Sequence, residues 1–190
     1  MEIEKIYPPY IYSIKYDDED VNEFERLFEN WRDLDVVVDF FEKNKEHLKS
    51  KVWSAVCEPE AAAYQVSEEA DDLEILFRKL YFNAKEKNKP DFDSHFKFLD
   101  GKYKFEFEYA PMKSYGTESP SFIRLYAIKM GANRYIIVGG GIKLCKTIQE
   151  SPYLKDHIIQ NIDKVRAWLK CNGIYEAVSY THLRAHETKA

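Results

Sequence analysis

The sequence predicts an α+β domain: N-terminal helices packed on a small twisted antiparallel sheet, with a C-terminal helix closing the chain. Three observations carry that expectation. Apolar residues recur at three- and four-residue steps through most of residues 20–87, the period of an amphipathic helix. Near residue 102 the period drops to two, as a half-buried strand requires. Over 153–169 the helical period returns. Helices, then strands, then a helix suit a segregated α+β architecture.

Residues 10–16 (Y-I-Y-S-I-K-Y) are rich in β-formers and end at the acidic turn Asp17-Asp18, so they read as a strand. Val21, Phe24, Leu27, Phe28 and Trp31 then mark one helix. Leu34, Val37, Val38, Phe41 and Leu48 mark a second. A third helical region runs over 60–87, between Pro59 and Pro90, with Ala63, Val66, Ala70, Leu73, Phe77 and Leu80 on one face. Residues 102–109 (K-Y-K-F-E-F-E-Y) alternate without a break and predict a strand. Residues 111–120 carry Gly, Ser, Thr and two prolines and predict a mobile loop. Residues 122–130 and 135–138 flank the turn-prone Gly131-Ala132-Asn133-Arg134 and predict a hairpin. A closing helix over 153–169 buries Leu154, Ile158, Ile162, Val165 and Leu169, and Gly173 is placed to stop it.

With 190 residues, 45% hydrophobic and 15% aromatic, the chain has enough apolar surface for a real core. A single domain over 1–176 is expected. Residues 178–188 (V-S-Y-T-H-L-R-A-H-E-T) look like a translated sequencing adapter, so 177–190 is set aside as a non-native tail. His182 and His186, with the spacing of a helical metal pair, fall in that tail, and no metal is expected. No apolar run approaches the roughly 20 residues that cross a bilayer, and the N-terminus lacks the layout of a signal peptide. The expectation is a cytoplasmic protein with no membrane partner. Cys57, Cys145 and Cys171 form no C-x-x-C pair and read as free thiols in a reducing compartment.

The net charge of −5 conceals an asymmetry. Residues 1–100 hold 14 basic against 25 acidic side chains, and 101–176 hold 12 against 7. The acidic half suits solvated helix faces. The basic half suits an anionic ligand such as RNA, although an isoelectric point near 5.6 argues against strong nonspecific nucleic-acid binding.

Function is sought in residues 121–152, which hold two apolar strands, a glycine run and several cations. Gly139-Gly140-Gly141 followed by Lys143 and Lys146-Thr147 fails the spacing of a phosphate-binding P-loop. Two readings stay open for these glycines: a bulge or twist at a strand end, or a backbone nest that approaches an anion. Alternation puts Phe122, Arg124, Tyr126 and Ile128 on one face and Ile123, Leu125 and Ala127 on the other. The second set suits a face beneath helices. The first places a guanidinium beside a phenol, either to engage RNA or to form an ordinary surface pair. His47, His95 and His157 are far apart with no evident partner, and Cys145, between Lys143 and Lys146, has no identifiable base. Each is read as structural.

The segment from Arg124 to Pro152 resembles the core of RelE/HigB-like toxins of type II toxin–antitoxin systems. The matching pieces are R-L-Y (Arg124, Tyr126), Y-I-I-V-G-G-G, Lys143, Lys146-Thr147 and Pro152. It departs from that pattern at Gly141-Ile142, where the family carries an aromatic, and in the Leu144-Cys145 spacer between the lysines. The resemblance implies a cofactor-free, metal-free and ribosome-dependent mRNA endoribonuclease, with an antitoxin of helix-turn-helix type as protein partner. It implies that Arg124 stabilises phosphate, that Lys143 and Lys146 position RNA or move a proton, and that Tyr126 stacks or assists. Lys129, Arg134, Gly140 and Gly141 are the further RNA-binding candidates. The alternative is a noncatalytic protein-interaction module on the same scaffold, motivated by the net acidity and the lack of a formed acid–base pair.

Overall fold

The computed structural model describes residues 1–49, 53, 58–99, 109–145, 147–148 and 150–174. Lys146, most of the strand expected over 102–109, and the tail 177–190 lie outside them. The chain opens with a hairpin, β1 (Glu2–Tyr7) and β2 (Ile11–Lys15). Four helices follow: α1 (Glu23–Arg32), α2 (Leu34–Lys43), α3 (Lys45–Leu48) and α4 (Pro59–Lys87). Then come β3 (Lys97–Phe98), β4 (Ala110–Tyr115), β5 (Ile123–Gly131), β6 (Arg134–Ile142) and finally α5 (Leu154–Cys171). No helix among the described residues is long and apolar enough to cross a membrane.

Local signals place the helix boundaries. Asn22 caps α1 by accepting from the Glu25 amide at 3.1 Å, and Asp33 caps α2 by accepting from the Val36 amide at 3.2 Å. Pro59 opens α4, where its missing N–H costs nothing. Gly173, at φ +62°, lets the chain leave α5, and the Ile174 amide returns to the Leu169 carbonyl at 3.0 Å.

The described strands form one sheet in the order β1-β2-β6-β5-β4-β3. It is mixed and not antiparallel throughout, because β2 runs parallel to β6. The long helical excursion between these strands supplies the crossover that a parallel pair requires. The first helices therefore sit inside the sheet's connectivity and do not simply precede it. Phe24, Leu27, Phe28, Phe41, Leu73 and Phe77 cover one sheet face. The α5 residues Leu154, Ile158, Ile162, Val165 and Leu169 cover the other.

Two further expectations are corrected. Residues 110–115, which overlap the expected mobile loop, form β4 and pair with β5 from Ala110↔Lys129 to Tyr115↔Arg124. Phe122 precedes β5 and does not share the Arg124 face. It stacks on Trp53 with ring centroids 4.0 Å apart and packs against Phe41, in the core under α1–α4.

Candidate functional site

A buried acid fixes the start of β5. Glu69 of α4 is 0% exposed. It accepts the Ser121 hydroxyl at 2.7 Å and the amides of Phe122 and Ile123 at 3.0 and 3.2 Å. The Ser121 oxygen in turn accepts the Gly116 amide at 3.0 Å, which ties the end of β4 to the same anchor. A buried carboxyl with this many donors is a rigid post, because its acceptor sites are filled within the protein.

Arg124 leaves that post on the sheet face that α5 covers only in part. One guanidinium nitrogen donates to the carbonyls of Ser121 at 2.8 Å and Ile123 at 2.6 Å. The guanidinium carbon lies 4.2 Å from the centroid of Tyr115, its cross-strand partner. The Arg124 Nε is buried without a hydrogen-bond partner among the described residues. Burial pulls the guanidinium below its ordinary pKa, against the opposing influence of Tyr115, Tyr126 and Glu69. The head group is thus held in place before any ligand arrives.

Arg124 lines a cavity of about 620 Å³, together with Lys97, Tyr115, Ser121, Lys143 and Cys145. Sheet register explains how the cations converge. Lys97 pairs with Lys113, Lys113 with Tyr126, and Tyr115 with Arg124, so all five share one face. Lys143 follows β6, where its amide donates to the Phe122 carbonyl at 2.8 Å. Burial first, and then the charges of Arg124 and Lys113, hold the Lys143 ammonium below its usual pKa. Glu118 is the one acidic side chain among the described residues on the cavity wall. A concave, cation-lined wall with an aromatic beside it can hold a phosphate or another oxyanion through charge-assisted hydrogen bonds.

The remaining sequence candidates divide. Tyr126 is 1% exposed and packs in the α5-side core. Burial raises its phenol pKa, with Arg124 pulling the other way. Its ring offers no open face for a base in this conformation. Gly140 and Gly141 are buried within β6 and paired with Leu125 and Arg124. A Cβ on Gly140 would lie 2.7 Å from the Arg124 carbonyl oxygen and 2.8 Å from Leu27 Cδ1, and one on Gly141 would lie 2.8 Å from Leu154 Cδ2. These glycines let α1 and α5 approach the sheet. Lys129 and Arg134 sit at the far end of the β5–β6 hairpin, roughly 20 Å from Arg124 at strand rise. Lys129 is ion-paired there with Asp93 at 3.0 Å.

No family model matches this chain, and neither does any curated protein or solved structure.

Several residues on or near the cavity carried no signal in the linear sequence. Tyr115 and Lys113 come beside Arg124 and Tyr126 through pairing of β4 with β5, and Lys97 through pairing of β3 with β4, which no local period reveals. Glu69 looks in sequence like any other acid of an acidic helix. His47 and Cys145 are 98 positions apart, yet the thiol sulfur lies 3.2 Å from His47 Nδ1. Burial and Glu150 raise the Cys145 pKa, opposed by Ser151 and Lys143. His157 stacks on Tyr153 with ring centroids 4.5 Å apart.

Proposed function

We propose that this protein binds RNA through the Arg124–Lys143 cavity and cleaves mRNA as a metal-free endoribonuclease of the RelE/HigB-like toxin type. The observation that carries the reading is the gathering of Lys97, Lys113 and Arg124 on one sheet face, with Lys143 on the wall of the same cavity as Lys97 and Arg124, in a net-acidic chain. The charges of Arg124 and Lys113 add to burial in holding the Lys143 ammonium below its usual pKa, a repulsion that makes it costly to gather these groups. A phosphodiester relieves that repulsion.

In the reaction proposed, the ribose 2′-oxygen attacks its adjacent phosphorus and the 5′-oxygen of the next nucleotide leaves. The pentavalent phosphorane carries extra negative charge. Arg124, already fixed by Ser121, Ile123 and Tyr115, meets that charge with little reorganisation. Lys143 has a lowered pKa, which suits it to exchange a proton with one of the reacting oxygens. The proposed partner is an antitoxin protein of helix-turn-helix type that neutralises the activity, and the ribosome presents the mRNA. Expression should arrest growth and create new mRNA 5′ ends, and Arg124→Ala should relieve both. Unchanged growth and unchanged 5′ ends, with folded protein present, would sink the reading.

A further inference from the structure

The cavity wall holds a nucleophile, backed by a base on α3, that phosphate binding does not use. Cys145 lines the cavity, and its sulfur lies 3.2 Å from His47 Nδ1 on α3. Lys143, two residues away, lines the same wall, as does Arg124. Burial and then Glu150 raise the thiol pKa, so its reactivity depends on a base that takes the proton as the sulfur attacks. His47 is placed for that role. A thiol of high intrinsic pKa is also the stronger nucleophile once deprotonated.

We propose that Cys145 is a modification site that reacts with a carboxylate-bearing disulfide of the glutathione type, with His47 as base and the cavity cations as the docking surface. In the exchange, the Cys145 proton passes to His47 Nδ1 and the sulfur attacks one sulfur of the disulfide. The incoming S–S bond breaks as the mixed disulfide forms, and the departing glutathione thiolate takes the proton back from His47. The disulfide reagent is itself the oxidant, so the step balances with no other reactant. The attached tripeptide places carboxylates against Lys143 and Arg124. In the part that rests on the proposed RNA reading, it thereby closes the cavity to RNA and makes cleavage redox-controlled.

The test treats the full chain with glutathione disulfide and follows each thiol by peptide mass mapping. Cys171, exposed at the end of α5, is the internal reference. Cys145 should react at least about tenfold faster than Cys171 despite being less exposed. His47→Ala and His47→Gln should each remove that advantage while leaving the Cys171 rate unchanged, which reports that the fold is intact. Cystamine, a cationic disulfide, should show no such preference for Cys145. A Cys145 rate no greater than that of Cys171 overturns the proposal, and so does an unchanged rate in both His47 variants. The wild-type comparison of the two disulfides needs no variant. An unmodified protein that fails to bind RNA refutes the cavity reading and leaves the thiol result standing. A modified protein that binds RNA as tightly as before refutes the closure.

Discussion

Glu69 accepts the Ser121 hydroxyl at 2.7 Å from a helix 52 residues earlier in the chain, and is 0% exposed while doing so. That contact decides where β5 begins, and therefore where Arg124 points. Replacing Glu69 by Ala strands the amides of Phe122 and Ile123 and the Ser121 hydroxyl in a buried site. The expected cost is about 3 kcal/mol, read as a lower denaturation midpoint. The same variant should weaken RNA binding, although Glu69 does not line the cavity.

The glycines of β6 should behave unequally. A Cβ on Gly140 meets the Arg124 carbonyl oxygen at 2.7 Å, backbone that cannot swing aside, whereas one on Gly139 meets the end of Ile158 at 3.1 Å. Gly140→Ala should lose about 2 kcal/mol through overpacking, and Gly139→Ala clearly less. Thermal denaturation of the two variants side by side checks this. Equal losses would contradict a packing role for Gly140.

Asp93 should govern part of the acid stability. Burial opposes its ionisation, but donation from the Tyr135 hydroxyl, Lys129 and the Asn133 amide outweighs that and holds its pKa below the usual carboxylate value. A depressed folded-state pKa contributes stability that is present above the unfolded value and lost as pH falls through the folded one. Wild-type stability should therefore fall below about pH 4. Asp93→Asn should be less stable at neutral pH and flatter across that acid window, as measured by melting temperature against pH.

Local features of the sequence were legible where the relevant forces are local. The alternation through Ile123, Leu125 and Ala127 against Arg124 and Tyr126 holds in β5, because the period of two is a property of the strand itself. The inner face of α5, from Leu154 to Leu169, holds for the same kind of reason. What was not legible depends on partners distant in sequence. Residues 111–115 of β4 read as loop because of Pro111 and the polar residues that follow, and only pairing with β5 makes them a strand. The parallel β2–β6 pair joins segments more than a hundred positions apart. Of the residues lining the cavity, Arg124 and Lys143 stand out as candidates in the sequence. Lys97, Lys113, Tyr115 and the pairing of His47 with Cys145 required the tertiary fold, because each arises from contacts between segments separated in sequence.

The two ends of the β5–β6 hairpin allow a direct comparison. Affinity for a labelled single-stranded RNA, measured across a salt series, should fall with rising salt for the wild type. Lys143→Ala should weaken binding and reduce the magnitude of the salt slope by about 1, as loss of one phosphate contact requires. Arg124→Ala should weaken it further, and Arg134→Ala, at the far end, should leave both affinity and slope unchanged. Binding that ignores salt, or an Arg134→Ala effect as large as that of Lys143→Ala, would contradict the placement of RNA phosphate at the Arg124–Lys143 cavity.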